Sequence, residues 1–471
     1  MKSPLWPIRT GQVRAPWLWV GLLSGPWAAM FYFEMISQQA LTFKIREFVS
    51  TPALITLIAS FNLVFNIFVG ATCNFASDRV WTPIGRRKPF LLLGWGMIAI
   101  GCLLLPEINT LGLLVVVLFF YEMLRDTAIP YESLVNEVVP PKQRGRCMAT
   151  LTVARELMKA LFFAVLLGRW DETFAISGLC SFSGEHLIFW TASALAIGAM
   201  AFVGFGIRET KPDVMQQSQP AMDLRGLLAT GRGFLREVFG TRQWLAVYAV
   251  ALAQMIFWTG FGSLTPLLFT EQWSFSKQEY GNVVAIGTAF TVIVCLPVGG
   301  WLADRVDRIF MFKLLAGLVT LVHLVFFIYL KIRAGNHIPP PLAAVLTHWL
   351  LQWGLGNLGV VCTVSMMFDF VPRNRLGTVA SGIGITRGVA NIFINNGIGL
   401  WVTGFSWVGA AAVGGTVAYD YESGFLYLVL LGLAATGVAF WFSSQVTNGR
   451  IRKLGVLEAE QDAAKQAPLD L

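Results

Sequence analysis

Residues 281–308 read GNVVAIGTAFTVIVCLPVGGWLADRVDR. Most of this stretch is an apolar run with few interruptions, and it ends abruptly in Asp304, Arg305, Asp307 and Arg308. An α-helix crosses a bilayer core about 30 Å thick with about twenty apolar residues. The strands of a membrane β-barrel alternate over roughly ten residues instead. The stretch therefore predicts a transmembrane helix that ends in a charged loop.

The rest of the chain repeats this pattern. Of its 471 residues, 55% are hydrophobic and 13% are charged, whereas a soluble domain carries about a quarter charged residues. This composition excludes a soluble enzyme, a disordered chain and a disulfide scaffold. The six cysteines do not follow metal-ligand spacing, so we interpret them as small core hydrophobes and expect no metal and no cofactor.

Twelve apolar runs are long enough to be spans, and we predict an all-α membrane protein from them. The first is too long for a signal peptide, and Glu34 and Gln38 follow where a cleavage site would need small residues. The twelve predicted spans are 17–40, 53–76, 90–106, 111–136, 147–168, 187–207, 243–268, 281–303, 309–330, 343–368, 376–404 and 424–444.

The basic residues give the predicted spans an orientation. Of the 35 lysines and arginines, 24 fall in the segments on the side of the two termini and 6 in the opposite loops. Positive charge marks the cytoplasmic side, so we predict that both termini are cytoplasmic. The net charge of +8 then reflects topology and not a nucleic-acid partner. We expect a multi-pass protein of the plasma (inner) membrane in contact with the lipid bilayer.

Two motifs recur in the two halves of the chain. Asp78-Arg79 after span 2 corresponds to Asp304-Arg305 after span 8. The series Pro140, Gly145, Arg155 corresponds to Pro372, Gly377, Arg387, and the two copies of each motif are separated by nearly the same length of chain. A duplicated six-helix unit predicts two bundles with a cavity between them. The predicted domains are 1–207, a cytoplasmic linker at 208–242, 243–446 and a tail at 447–471.

The loop Gly300-Trp301-Leu302-Ala303-Asp304-Arg305 resembles the signature of the major facilitator superfamily; the first copy has Asn74 at the glycine position. Residues 77–90, SDRVWTPIGRRKPF, resemble the same loop of sucrose–proton symporters. Residues 129–134, IPYESL, with Glu137, Arg146 and Arg155, resemble the glycoside–pentoside–hexuronide cation symporters. The resemblance implies a secondary transporter that takes up a sugar or glycoside with a cation, and we expect it to be a monomer.

Helix 2 departs from the melibiose-type sodium symporters of this class. Those proteins carry acidic residues there, whereas this helix offers Asn62 and Asn66 one turn apart. The departure favours a proton over sodium as the coupling cation.

The charged loops predict a cytoplasmic gate. A carboxylate after one helix can accept from the N-terminus of a neighbouring helix and pair with arginine. The alternative is a topology signal with a static surface salt bridge, worth about 0–1 kcal/mol. We assign to the gate Asp78, Arg79, Arg86, Arg87, Glu137, Asp304, Arg305 and Asp369.

Several charged residues lie too deep in the predicted spans to be explained by the orientation of the helices in the membrane. Ionisable side chains at bilayer depth cost at least about 2.5–3.5 kcal/mol unless they are paired or hydrated. Spans 4 and 5 run in opposite directions, and their charges fall at similar heights. We predict a substrate-binding and proton-coupling cluster; the alternative is a permanent ion-pair network that ties helix 4 to helix 5. The residues are Glu122, Arg125, Asp126, Arg155, Glu156 and Lys159.

Other polar side chains extend this candidate site. Glu34 has no basic neighbour in the sequence, and Gln38 follows one turn later; if the helix ended early, Glu34 would simply face water. Span 11 carries a stripe at i, i+4 and i+8 that suits sugar hydroxyls or interhelical packing. Spans 7 and 10 add amides and tryptophans, which also occur at membrane interfaces. The residues of these three spans are Arg387, Asn391, Asn395, Gln254, Trp258 and Gln352.

The sequence carries no phosphate-binding glycine loop, catalytic triad or metal-ligand motif. An enzyme or an ATP-driven pump is therefore not expected. Two alternatives to a sugar symporter stay open: a carrier for a different organic solute, and a membrane assembly factor or sensor that kept the fold without transport. The retained inner charges argue against the second.

Overall fold

The computed structural model is predominantly helical. It describes residues 8–9, 17–77, 81–139, 143–176, 180–209, 236, 238–258, 260–334, 338–371, 376–413 and 417–453. The predicted gate residues Asp78 and Arg79, most of the linker 208–242 and most of the tail 447–471 lie outside the described residues.

Contacts divide the chain into two compact units. Unit 1 comprises Met1–Pro220 and Gly262–Ala289, and unit 2 comprises Ala221–Phe261 and Phe290–Leu471. The segment Gly262–Ala289 therefore packs with the first half of the chain, although it belongs to the second half of the sequence. The domain boundaries inferred from the sequence stay a prediction.

Ten α-helices are described in the first half of the chain. They are α1 Trp17–Met35, α2 Leu41–Arg46, α3 Pro52–Ala59, α4 Phe61–Phe65, α5 Ala71–Ser77, α6 Lys88–Leu104, α7 Leu111–Arg125, α8 Tyr131–Val138, α9 Arg144–Leu161 and α10 Gly184–Ala201. Shorter 3₁₀ and π segments join or extend these helices at Ile36–Ala40, Asn66–Gly70, Leu105–Glu107, Asp126–Ala128, Phe162–Leu166, Leu167–Arg169 and Phe202–Gly206.

Eight further α-helices are described in the second half. They are α11 Arg242–Trp258, α12 Thr265–Leu267, α13 Lys277–Phe290, α14 Leu296–Arg305, α15 Arg308–Ala334, α16 Leu342–Asp369, α17 Leu376–Val413 and α18 Gly424–Thr447. Their 3₁₀ and π segments are Gly262–Leu264, Leu268–Gln272, Thr291–Cys295 and Tyr421–Ser423.

Four short strands complete unit 1. Strands β1 Ile8–Arg9 and β4 Ile207–Arg208 pair in parallel. Strands β2 Thr173–Ile176 and β3 Cys180–Ser183 form an antiparallel pair between α9 and α10.

The helix packing repeats in the two units, as the sequence repeat predicts. In unit 1 the helix pairs in contact include α1 with α9, α1 with α10, α4 with α7, α6 with α7, and α6 with α10. The corresponding pairs of the second half are α11 with α17, α11 with α18, α14 with α16, α15 with α16, and α15 with α18. The duplication is therefore visible in the packing as well as in the motifs.

Two pairs of π segments also follow the repeat. Ile36–Ala40 corresponds to Leu268–Gln272, and Asn66–Gly70 corresponds to Thr291–Cys295, with nearly the same spacing along the chain as the sequence motifs. Isolated π turns within α-helices often mark functional positions. The π segments at Phe162–Leu166 and Phe202–Gly206 have no such counterpart in the described part of α17 and α18.

Six helical segments are long and apolar enough to cross a membrane by length and composition among the described residues. They are Pro52–Gly70, Lys88–Glu107, Gly184–Gly206, Lys277–Arg305, Arg308–Arg333 and Tyr421–Thr447. These segments confirm a helical membrane protein. The count of twelve spans and the side on which the termini lie stay predictions.

Candidate functional site

Arg125 forms the centre of a buried ion-pair cluster in unit 1. Its Nη1 lies 3.3 Å from Glu122 Oε2, and its Nη2 lies 3.2 Å from Asp126 Oδ1. Nη1 also donates to Ser37 Oγ at 2.8 Å. The side chains of Glu122 and Asp126 are 4% and 3% exposed. One guanidinium therefore serves two buried carboxylates.

Residues from three helical segments form this cluster. Glu122 and Arg125 lie on α7, Ser37 lies on the π segment that follows α1, and Asn62 on α4 donates to Glu122 Oε2 at 3.0 Å. Ser37 and Asn62 complete the hydrogen bonding of the charged groups, and we did not assign them to the site from the sequence. Neither carries a charge, so the sequence offers no strong signal for them.

Asp126 lies where the fourth predicted span breaks. The span was predicted as continuous from 111 to 136, but α7 ends at Arg125 and a 3₁₀ turn follows. The ring of Pro130 disfavours a continuous helix through this point. The turn packs closely on α6, since a Cβ at Gly94 would come within 2.8 Å of Ala128 N. Asp126 Oδ2 is buried here with no hydrogen-bond partner in the described part of the chain.

Glu34 lies half-buried beside the same cluster. The helical path continues past it to Arg46 through a π segment, so the alternative that the helix ends early is excluded. Gln38 Nε2 donates to Glu34 Oε1 at 2.8 Å, one turn away as expected. Glu34 makes no ion pair within 4.0 Å among the described residues, although Arg125, Arg155 and Lys159 are close enough for their charges to act on it.

The charges of α9 form a second group. Arg155 Nη2 lies 2.6 Å from Glu156 Oε1, and the guanidinium also stacks 4.8 Å from the ring centroid of Phe31. The sequence placed opposite charges of helices 4 and 5 at similar heights, where they could meet. In the structure Arg125 and Arg155 each pair with carboxylates that lie one or three positions away in the sequence. Glu34 on α1 therefore lies near the bases of both groups.

Unit 2 brings together two of its predicted site residues. Arg387 on α17 donates through Nη2 to Gln254 Oε1 on α11. Gln254 is buried and donates in turn to the carbonyl of Val360 on α16 at 3.2 Å. Arg387 Nε has no hydrogen-bond partner among the described residues. Asn391 and Asn395 follow at one and two turns, half-buried and buried respectively.

Gln352, unlike Gln254, has a buried side-chain nitrogen with no hydrogen-bond partner among the described residues. It is buried on α16, and its Nε2 lies 3.7 Å from where a Cβ would stand on Gly260. His348 lies one turn earlier and stacks on Phe326 with ring centroids 4.0 Å apart. The side chain of Trp258 lies outside the described residues.

Matching ion pairs lie at the ends of the helices in both units. In unit 1, Arg86 and Arg87 both pair with Glu137, with Arg87 Nη2 at 2.7 Å. Burial raises the pKa of Glu137, although the two guanidinium groups oppose that shift. In unit 2, Arg308 Nη1 lies 2.8 Å from Asp369 Oδ1. Glu137 and Asp369 thus occupy corresponding places, as the sequence suggested.

The remaining predicted gate residues of unit 2 are not part of this pair. Asp304 and Arg305 are exposed, and Arg305 stacks on Trp301 at 4.9 Å from the ring centroid. Neither makes an ion pair among the described residues. Arg308, at the start of α15, is the base that pairs with Asp369; it stands in the charged loop quoted at the outset, but we did not assign it to the gate.

Glu209 is a second residue that the sequence analysis missed. Its carboxylate accepts hydrogen bonds from the backbone N–H groups of Arg86, Arg87 and Lys88 at 3.0–3.3 Å. These are the free donors at the N-terminus of α6. Gly85 has φ of +125° and a Cβ there would come within 2.6 Å of Glu209, so the loop fits this carboxylate closely. Glu209 follows β4 and lies 121 residues after Lys88, so no local sequence pattern reveals this contact.

The described residues contain no group of three or more His, Cys, Asp or Glu side chains that could hold a metal ion.

The family model of the Major Facilitator Superfamily matches residues 22–395. No curated protein sequence matches the chain.

Solved structures show the same fold at low identity. A bacterial homologue of the human lysosomal transporter Spinster, inward-facing and occupied, matches with 15% identity and a TM-score of 0.67, covering 91% of this chain and 96% of that one. A D-xylose-proton symporter matches with 13% identity and a TM-score of 0.63, covering 91% and 97%. The POT-family transporter PepTSo matches with 11% identity and a TM-score of 0.62, covering 91% of this chain and 97% of that one.

Proposed function

The chain belongs to the major facilitator superfamily and is therefore a multi-pass membrane transporter and not an enzyme, and on this premise we propose that it takes up a sugar or glycoside together with a proton. The proposed mechanism is alternating access between two six-helix bundles in the plasma membrane. The proposed topology has twelve spans with both termini in the cytoplasm.

The charge cluster of unit 1 is the observation that carries this proposal. It contains four carboxylates, Glu34, Glu122, Asp126 and Glu156, and three bases, Arg125, Arg155 and Lys159. Charges in a membrane are stable only when they are balanced or hydrated. With one more carboxylate than base, the cluster gains balance by binding one proton.

Glu34 is the carboxylate best placed to bind that proton. Glu122 and Asp126 share Arg125, and Glu156 pairs with Arg155. Glu34 accepts from the neutral amide of Gln38 and forms no ion pair in the described part of the structure. A group whose charge state changes at each cycle must not be fixed by a permanent counter-charge. Glu34 meets this condition within the cluster.

The sugar part of the proposal rests on polar groups and on similarity. Arg387, Gln254 and the asparagine stripe of α17 offer donors and acceptors that suit several hydroxyls. The loop at 77–90 resembles that of sucrose–proton symporters, and a D-xylose-proton symporter is among the structural neighbours. The neighbours also include a peptide transporter, so the substrate is the part that experiment must establish.

In the proposed cycle the end-of-helix ion pairs serve as the cytoplasmic gate. Arg86 and Arg87 with Glu137, and Arg308 with Asp369, would form in one conformation and break in another. Asp78, Arg79, Asp304 and Arg305 remain part of the proposed gate from the sequence.

The test is uptake of a panel of labelled sugars and glycosides into proteoliposomes, with and without an inward proton gradient. We expect accumulation of at least one member of the panel above the equilibrium level when the gradient is present. Glu34→Gln should lose that accumulation, and Glu107→Gln, an exposed carboxylate outside the cluster, should keep it. Absence of gradient-dependent accumulation for every sugar would refute the proposal.

A further inference from the structure

The hairpin of strands β2 and β3 joins predicted spans 5 and 6, and its composition is unusual for such a connection. Residues 173–183 read TFAISGLCSFS and carry no charged side chain, although Glu172 precedes them and Glu185 follows. Two strands on their own are marginally stable in water and need a surface on which to pack. The two faces of the hairpin indicate what that surface is.

The register of the strands gives the hairpin two different faces. Phe174 pairs directly with Phe182, and their rings stack with centroids 5.7 Å apart. Ala175 pairs with Ser181, and both of these small side chains are exposed. Because successive residues of a strand point to opposite faces, the aromatic pair lies on one face and the small side chains lie on the other. The hairpin is therefore amphipathic.

The aromatic face of the hairpin continues onto α10. The ring centroid of Phe182 lies 5.5 Å from that of Trp190, which is 37% exposed. From Trp190 onward, exposed apolar side chains recur every three or four residues along α10 and the π segment that follows it, at Ala194, Ile197, Ala201 and Phe205. This spacing places them on one face of the helix. Gly184–Gly206 is apolar enough to cross a membrane, so this exposed face is the part of the helix that contacts lipid.

The heights of these residues place the hairpin at the edge of the bilayer core. Trp190 and Phe205 are fifteen residues apart, about 22 Å along the helix, which is most of a core about 30 Å thick. Trp190 therefore lies close to the boundary on the side of the hairpin. One turn before it, His186 pairs with Glu107, whose side chain is 64% exposed, so polar groups surround the helix at that level. Tryptophan is enriched at this boundary between the core and the headgroups.

We propose that the β2–β3 hairpin is a membrane anchor whose aromatic face lies among the lipid headgroups of the leaflet that is outer in the predicted topology. In this arrangement Phe174 and Phe182 extend the lipid contact that begins at Trp190, while Ala175 and Ser181 face water. The hairpin has no basic residue with which to attract anionic lipids, so apolar burial provides the binding. This anchoring goes beyond the proposed function, because it holds for any solute that the protein carries.

The hairpin is also fixed to the helical segments on both of its sides. Gly184 N donates to Glu172 O at 2.8 Å, which closes the hairpin at its base. A Cβ at Gly184 would clash with the carbonyl oxygen of Arg169, so the base packs closely on the end of the preceding helical segment. Ser183 Oγ lies 2.7 Å from His186 Nδ1 in the first turn of α10. Because these contacts fix the hairpin relative to α10, its anchoring holds this end of unit 1 at the membrane surface.

The experiment measures the depth of each face in the full-length protein, reconstituted in phosphatidylcholine vesicles and in vesicles that also contain phosphatidylglycerol. A nitroxide label is attached at Phe182→Cys or, as the matched control on the opposite face, at Ser181→Cys. Both variants also carry Cys180→Ser, and the other five cysteines are buried, so the label enters only at the new position. Collision of the nitroxide with oxygen, which concentrates in the bilayer, is compared with its collision with the water-soluble complex NiEDDA.

We expect the ratio of oxygen to NiEDDA collisions to be several-fold higher at position 182 than at position 181, and to be the same in both vesicle compositions. The unmodified protein gives a second readout that does not depend on Phe182→Cys. A hydrophobic diazirine that is dissolved in the bilayer and activated by light should modify Phe182 and Trp190 and leave Ser181 unmodified.

Three results would overturn the proposal. Predominant collision with NiEDDA at both positions, with no diazirine modification of Phe182, would place the hairpin in water. Exclusion of both oxygen and NiEDDA from position 182 would show that protein covers the aromatic face. Insertion in the phosphatidylglycerol vesicles alone would refute binding by apolar burial. None of these results depends on sugar uptake, so the proposed function stands or falls separately.

Discussion

The two units share a helical frame but place different chemistry on it. The same five helix pairs recur in both, and an arginine–carboxylate pair closes the corresponding helix ends in each. Inside, unit 1 holds ion pairs around Arg125, whereas unit 2 holds amides and one arginine. Duplication preserves packing and end contacts, so the divergent interior is where each unit has acquired its own role.

Removal of Arg125 from unit 1 or of Arg387 from unit 2 tests whether the two interiors depend on different interactions, and it should give the largest effect. Arg125→Ala leaves Glu122 and Asp126 buried without a counter-charge, which costs about 3–5 kcal/mol for a buried pair. Arg387→Ala leaves only the neutral Gln254, so it should cost much less. Thermal unfolding in detergent measures both. Equal loss of stability in the two variants would contradict the account.

Glu34→Gln tests the excess negative charge of unit 1. The amide keeps the shape and can still bond Gln38, so we expect the fold to survive. Proton-driven accumulation should fall to the equilibrium level, because uptake is then no longer coupled to the proton gradient, while exchange of substrate at equal concentrations continues. Counterflow and gradient-driven uptake on the same vesicles separate the two. Loss of exchange along with accumulation would argue against a proton-binding role.

The gate pairs test what the units have in common. Glu137→Gln removes the pairs with both Arg86 and Arg87, and Asp369→Asn removes the one with Arg308. Each partly exposed pair is worth about 1 kcal/mol, so each variant should change the initial uptake rate by a few-fold or more. Because Glu137 and Asp369 occupy corresponding places, we expect the two variants to act in the same direction. Asp171→Asn, which breaks the exposed pair with Lys277, is the control. A large effect of one gate variant beside none of the other would show that the two ends are not equivalent.

The smallest expected effect concerns the two corresponding helices α6 and α15. The N-terminus of α15 is capped by its own Asp307, which accepts from Phe310 N at 2.7 Å, whereas α6 is capped by the distant Glu209. Loss of a cap costs about 1 kcal/mol, so Asp307→Ala and Glu209→Ala should destabilise alike.

Limited proteolysis separates these two capping variants. Because Glu209 also ties the end of β4 to the N-terminus of α6, Glu209→Ala should speed tryptic cleavage at Arg208, and Asp307→Ala should not. Unchanged cleavage in Glu209→Ala would show that the cap does not hold this segment.

The sequence predicted the frame better than the interior. Apolar runs and paired motifs identify the helices and the duplication, because both leave local patterns. Gln254 and Arg387 were each assigned to the site because they stand out as polar groups on apolar helices, but their pairing was not predicted. Ser37 and Asn62 were not assigned to the site, because their contacts depend on how each helix is rotated about its axis, and that rotation is set by packing across the unit.

In two further places the structure differs from the sequence-based prediction for a reason that lies nearby in the chain. The break at Asp126 follows from Pro130, which lies inside the single span predicted for residues 111–136. Arg125 and Arg155 each pair with a carboxylate that is near in the sequence. The depth of a residue within its predicted span does not reveal this choice of partner. Glu209 lies 121 residues after Lys88, beyond the reach of any spacing rule.

Proton movement during sugar uptake tests the central claim most directly. Purified transporter in lightly buffered proteoliposomes is supplied with a transported sugar while the external pH is recorded. The account predicts that the medium becomes more alkaline as sugar enters, that Glu34→Gln abolishes this change, and that Glu107→Gln preserves it. Sugar entry with no alkalinisation in the wild type, or an unchanged signal in Glu34→Gln, would contradict the account.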